Sequence, residues 1–152
     1  MKLAEALILR ADYQKRIATL RDRITRNAKV QEGDKPAEDP KKILVEVERV
    51  FQDLTEIIQR INRTNTVTIL KSGGSISDAI ATRDILLSKQ TVYRELAKAA
   101  TVIQDRSTKS EVKFKSAISV SDTQKKADDY SKQYREIDTA IQEANWLTEL
   151  CQ

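Results

Sequence analysis

Six polar residues interrupt or adjoin stripes that are otherwise apolar at helical spacing: Arg10, Asn62, Arg63, Arg83, Asp84 and Asn145. Guanidinium groups that converge bind phosphate or carboxylate well, so Arg10, Arg63 and Arg83, with the amides near them, could line a site for a small anionic ligand. The same residues also have a structural reading. A buried arginine must be paired and hydrogen-bonded, and a satisfied internal network of this kind would fix helix register.

Most other chemistry is excluded by residue type. With His 0 and Cys 1, there is no Cys/His zinc set, no Ser–His–Asp triad and no Cys–His dyad. No phosphate-binding glycine loop is present, and Gly73–Gly74 alone is weak evidence of one. Asp122, Asp129, Glu136 and Glu143 recur every seven residues near the C-terminus. They could in principle hold a divalent ion, but helix-bundle metal sites normally combine such carboxylates with histidine. The stripe also lies beside the apolar seam rather than in it, so a solvated acidic face is expected. No catalytic residue, metal or cofactor is assigned.

The front of the chain is basic, with eight Lys and Arg against three Asp and Glu over residues 1–31. Arg16, Arg23, Arg26 and Lys29 could follow a phosphate backbone along one flank, which makes nucleic acid an alternative partner. No aromatic residues are interleaved with them.

The elements that would carry these residues are helices. Charged residues make up 33% of the 152 and aromatics 5%, with only Gly 3 and Pro 2, a composition for long helices rather than for a sandwich or barrel. The clearest stripe is Ile43, Val47, Val50, Leu54, Ile57, Ile61, Thr64, alternating steps of four and three as in a coiled-coil seam. It predicts a helix over 40–65, capped by Asp39 with Pro40 at its first position. A second stripe (Leu44, Phe51, Ile58) widens its apolar face enough for two or more neighbours. A helix over 3–31 carries Ala6, Arg10, Tyr13, Ile17, Leu20, Ile24 and Asn27, broadened by Leu3 and Leu7. One over 77–106 carries Ile85, Val92, Leu96, Ala99 and Ile103, with Ser77 as its cap, or Ser75 paired with Asp78. The last, over 120–149 and capped by Ser119 with Asp122, carries Ala127, Tyr130, Tyr134, Ile137, Ile141, Ala144, Thr148 and Cys151.

Two extended pieces complete the reading. The β-branched run at 66–70 with Gly73 and Gly74 predicts a small hairpin over 66–76. Alternation of Val112, Phe114 and Ile118 with charged residues predicts a strand over 111–118. The expected fold is one mainly α domain over 1–152, a bundle of four long antiparallel helices with a small β element at one end. Trp146 and Leu147 are expected to close the core, or else to join Leu150 in an oligomer contact.

No run approaches the ~20 apolar residues of a membrane span. Glu5 and Arg10 interrupt the N-terminal apolar run, which argues against a signal peptide. One cysteine suits a reducing compartment, so a cytoplasmic location is expected.

The segments "MKLAEALILRADYQKRI", "RNAKVQEGDKPAEDP", "INRTN", "ATRDIL" and "KADDYSKQYREIDTAIQEANW" together resemble the septicolysin family, small bacterial proteins with a domain of unknown function. The resemblance covers nearly the whole chain. It implies a mostly helical cytoplasmic protein with no established activity and no catalytic residues to carry over. Pore formation does not follow from the family's name, since the helices have charged outer faces and no export signal is read. The combined expectation is a non-enzymatic binding or self-assembly module. A homo-oligomer is its first partner, with nucleic acid or a small anionic ligand as alternatives.

Overall fold

A computed structural model of the protein describes residues 1–102 and 113–152. It contains four long helices: α1 (Leu3–Arg26), α2 (Pro40–Val67), α3 (Ile76–Ala100) and α4 (Val120–Leu147). No sheet is present among the described residues. The chain divides into two compact units, one made of residues 1–69 and 142–152, the other of residues 70–141.

In the first unit α1 and α2 pack antiparallel along the predicted seams. Leu20 lies in a cluster with Ile43, Val47 and Val50, against which Tyr13, Ile17 and Ile24 rest. Arg16 reaches Glu46 (2.7 Å) at the edge of this contact. Asp39 caps α2 by accepting from the Lys41 N–H (3.0 Å), with Pro40 following as expected. α1 is shorter than its stripe suggests. Asn27 terminates it: the side-chain amide donates to the Arg23 carbonyl (2.9 Å), while its oxygen accepts from the Glu38 N–H (3.0 Å). A short amide that satisfies backbone groups on both sides of a helix end stops propagation and holds the following loop. Residues 28–31 are therefore loop, not helix.

The termini close the same unit. The Leu3 N–H donates to the Thr148 carbonyl, and the Leu150 N–H to the Met1 carbonyl, both at 2.9 Å. They form an isolated antiparallel bridge between Lys2 and Glu149. Lys2 Nζ meets Glu149 at 2.7 Å.

In the second unit α3 and α4 run antiparallel. Tyr93 stands edge-on to Tyr130 with ring centroids 5.4 Å apart, and Arg83 bonds Asp138 (3.1 Å). Ser75, not Ser77, caps α3. Its hydroxyl accepts from the Asp78 N–H (3.0 Å), and the Asp78 carboxylate accepts from the Ser75 N–H (3.1 Å). This reciprocal pair satisfies two donors at once. It also starts the helix one residue earlier and buries Ile76. Ser119 caps α4, accepting from the Asp122 N–H (3.2 Å).

The predicted β element does not form. Thr66 and Val67 remain in α2, where the Thr66 hydroxyl donates to the Asn62 carbonyl (2.9 Å). What remains is a tight turn in which the Leu70 N–H reaches the Gly74 carbonyl (3.0 Å). Gly73 and Gly74 adopt the positive φ expected of them, 90° and 77°. Residues 113–118 are irregular rather than a strand. Ser116 instead bonds locally to the Ile118 carbonyl (2.6 Å), a side-chain bond that competes with ladder formation. The third helix ends at Ala100, with Thr101 extended after it, short of the predicted 106; Ile103, Glu111 and Val112 lie outside the described residues.

Candidate functional site

The six polar residues fall in both units. Arg10, Asn62, Arg63 and Asn145 belong to the first, Arg83 and Asp84 to the second. Among the described residues, the hydrogen bonds joining two of the six are those between the sequence neighbours Arg83 and Asp84 (3.1 and 3.0 Å).

Arg83 also donates from Nη1 to Asp138 (3.1 Å). Burial would lower its pKa, but the bonds to Asp84 and Asp138 outweigh that and raise it. It is a paired cation inside the α3–α4 contact. Asn62 and Arg63 are exposed on α2. Asn145 is 6% exposed, and Arg10 buries its Nε without a hydrogen-bond partner. Around the C-terminal end of α2 the polar contacts run instead through Arg60, whose Nε donates to the Cys151 carbonyl (2.9 Å), and Thr64, which accepts from the Cys151 N–H (2.9 Å). This pins the C-terminal residues to the end of α2.

The α3–α4 contact corrects the expected face of α3. Ile85 and Val92 are 57% and 60% exposed, and Leu96 43%. The buried face reads Ile76, Ala79, Leu86, Gln90 and Ala97, with Arg83 and Tyr93 partly buried in the same row. Oriented to suit its surroundings, the Gln90 amide oxygen accepts from Arg94 (2.9 Å) and from Ser131 (3.0 Å). The reason is the partners on offer. α4 brings Tyr130 to the contact, edge-on to Tyr93, and the polar Arg83 and Gln90 of the same α3 row find partners on α4 in Asp138 and Ser131. The row from Ile76 to Ala97 alternates threes and fours as regularly as the apolar stripe, and that spacing is the signal by which Gln90 could have been found.

Large apolar side chains are left on two outer faces. On α2, Leu44, Val45 and Phe51 are exposed, and a shallow groove of about 520 Å³ lies among Val45, Arg49, Phe51 and Thr55. The second stripe of α2 therefore has no covering neighbour among the described residues at Leu44 and Phe51. On α3 the stripe Ile85, Val92, Leu96 and Ala99 runs into a groove of about 480 Å³ bounded by Val102, Phe114 and Ile118. Phe114 is 84% exposed. Trp146 and Leu147 are exposed rather than core, whereas Leu150 is buried.

The charged candidates are largely neutralised. Arg16 pairs with Glu46 and Arg23 with Glu38, so two of the four cations proposed for phosphate are ion-paired, while Arg26 and Lys29 are exposed. Asp122, Asp129, Glu136 and Glu143 are all exposed along α4. Among the described residues no group of three or more His, Cys, Asp or Glu could hold a metal ion, and no helix is long and apolar enough to cross a membrane.

Residues 10–150 match the model of a family of unknown function, DUF6847. The chain is also similar to a functionally unknown conserved protein from Corynebacterium diphtheriae, known from a crystal structure. The two are 44% identical, with a TM-score of 0.90 over 99% of each chain. No match is found among curated proteins. The resemblance to the septicolysin family is thereby overturned: both the family match and the structural relative point elsewhere.

Proposed function

The chain belongs to the DUF6847 family of unknown function, and from that premise we propose that it is a non-enzymatic assembly module. It works by burying apolar helix faces against a protein partner, foremost another copy of itself. The observation that carries this reading is the exposed aliphatic stripe of α3, Ile85, Val92 and Leu96, at coiled-coil spacing. Contiguous apolar patches of this kind mark interaction surfaces, whereas isolated exposed hydrophobics do not. The outer face of α2, with Leu44, Val45 and Phe51, supports the same reading from the other unit. The residue types argue in the same direction, since the chain has no histidine and its one cysteine is penultimate.

Sedimentation velocity on the full chain, from micromolar to roughly a hundredfold higher concentration, tests the proposal. A mass above that of the 17.3 kDa chain is expected. A monomer throughout the series would overturn self-assembly.

A further inference from the structure

We infer that the open end of the α1–α2 hairpin is a groove for an extended peptide, filled in the resting chain by its own residues 148–151. This tail leaves the groove as one unit, and a free peptide of the same chemistry takes its place. The groove is separate from the outer helix faces invoked above.

The tail is held by its main chain. The Thr148 carbonyl accepts from the Leu3 N–H, and the Leu150 N–H donates to the Met1 carbonyl, both at 2.9 Å. One residue on, the Cys151 N–H donates to the Thr64 hydroxyl and the Cys151 carbonyl accepts from Arg60 Nε, again both at 2.9 Å. Bonds of this kind follow the path of a backbone, not the identity of its residues. They are how a peptide adds to an exposed backbone edge, with alternate side chains supplying the selection. That alternation is present. Glu149 turns outward with 66% of its side chain exposed, whereas Leu150 is buried.

The α2 side of the groove is arranged in advance. Arg60 and Thr64 stand one turn apart and share a face of the helix. Thr64 is fully buried, and its hydroxyl hydrogen is committed to the Arg60 carbonyl at 2.8 Å. The oxygen is thereby left to accept the incoming N–H. Arg60 then supplies the donor for the carbonyl of that same incoming residue. Two side chains of one helix face satisfy both backbone groups of a single peptide residue, whatever its side chain.

The occupant is weakly anchored. Among the described residues after α4, Leu150 is the buried one, while Trp146 and Leu147 before it are exposed. The Lys2–Glu149 pair at the edge is solvated and adds little. One apolar side chain and four main-chain bonds are largely offset by the entropy of ordering the residues that make them. Segments so balanced open locally, well below the free energy of global unfolding.

The test uses the full chain and a fluorescent peptide of residues 145–152 carrying Cys151→Ser. Leu150→Ala in the chain weakens the tail but leaves Arg60, Thr64 and the backbone of Met1 and Leu3 in place. By fluorescence anisotropy the peptide should bind this variant at least about tenfold tighter than wild type, with helical circular dichroism unchanged. The same peptide carrying Leu150→Ala should bind neither chain. Adding Thr64→Val to the variant chain should weaken peptide binding about fivefold to tenfold, since valine keeps the shape and removes the acceptor.

Hydrogen exchange on wild type stands whether or not Leu150→Ala folds. The amides of Leu3, Leu150 and Cys151 should share one protection factor, well below those of Val47 and Val50. Thr64→Val should lower all three together by about fivefold to tenfold. A peptide that binds wild type and Leu150→Ala alike, or binds neither, would overturn the groove. Amides that exchange only together with Val47 and Val50, or a Thr64→Val effect confined to Cys151, would overturn release of the tail as a unit.

Discussion

The two helical hairpins of this chain bury their helices by opposite means. The α1–α2 contact is apolar along its length: Leu20 sits among Ile43, Val47 and Val50, and its charges stay at the edges, as in Arg16–Glu46. The α3–α4 contact places Arg83, Gln90 and two tyrosines in its seam, while Ile85, Val92 and Leu96 face outward. An apolar seam gains stability from transfer out of water and tolerates small slips. A polar, aromatic seam gains less from burial but permits one register, because every hydrogen bond must be met. The second hairpin thereby holds an aliphatic stripe in a fixed orientation on its exposed face.

The sharpest way to break this comparison is to remove aliphatic volume from each seam. Leu20→Ala should destabilise the chain by about 2–5 kcal/mol, since a fully buried leucine surrounded by large aliphatics leaves a cavity. Leu86→Ala should fall at the low end of that range, because its neighbours in the seam are small or polar and can close on the space. Denaturant midpoints at fixed m-value measure both. Equal losses would show that the two seams are built alike.

Next in size is the paired cation. Arg83→Met keeps much of the side-chain volume but strips Asp138 of its partner within the α3–α4 contact. A loss of about 1–3 kcal/mol is expected, from an unpaired carboxylate that is partly desolvated. The variant Arg83→Met with Asp138→Leu should recover most of it, since an apolar pair can replace an ion pair with little net change. A double variant no better than the single one would mean that the pair fixes register rather than merely satisfying charge.

Much of this architecture was legible from residue spacing, and the failures have one physical source. The seams of α1 and α2 and the caps at Asp39 and Ser119 follow from local rules, as do the positive φ angles of Gly73 and Gly74. α3 carries two rows of helical period on different faces, one aliphatic and one of Ala, Arg, Leu, Gln and Tyr. Hydropathy favours the first, but the partners that α4 offers, Tyr130 and Asp138, lie against the second, and that selection is a property of the pair of helices. The stop at Asn27 and the loss of the hairpin are similar: one amide and one threonine hydroxyl decide them through single backbone bonds. Of the candidate polar cluster, the need for Arg83 to find acidic partners was legible, but Asp138, reached from 55 residues away, was not. Arg60 was passed over for Arg63 because nothing in the local sequence marks the Cys151 carbonyl as its acceptor.

A third test compares the helix starts. Ser75→Ala removes the reciprocal cap of α3, and Asp39→Ala the simpler cap of α2. Each should cost about 1 kcal/mol. The first should be the larger, because the Ser75 hydroxyl both accepts from the Asp78 backbone N–H and donates to the Asp78 carboxylate at 2.7 Å. Hydrogen exchange in the first turn of each helix measures the fraying directly. An equal effect at both sites would reduce the reciprocal cap to a single useful bond.

Acidification offers the smallest effect and separates the edges of the first hairpin from its core. Glu38 has its pKa lowered from 4.5, chiefly by the hydrogen bond from Arg23 and then by the charge of that guanidinium. Glu149 is lowered in the same sense by Lys2 and by the terminal ammonium of Met1. A carboxylate whose folded pKa is depressed contributes stability above its unfolded pKa and loses that contribution as pH falls through the folded value. The gap in denaturation midpoint between wild type and Glu38→Gln should therefore be constant near neutral pH, narrow below about pH 4.5, and close once Glu38 is protonated in the folded chain. The side chains of Arg23 and Glu38 are 38% and 42% exposed, so the gap is small and should shrink further in high salt. The apolar contact of Leu20 with Ile43, Val47 and Val50 contains no ionisable group and should keep its contribution throughout the titration. The absence of any gap would mean that residue 38 acts only through its backbone N–H, which donates to the Asn27 oxygen whatever the side chain. In that case the loop after α1 is held by the cap alone, and the ion pairs at the edge of this hairpin contribute nothing to its register.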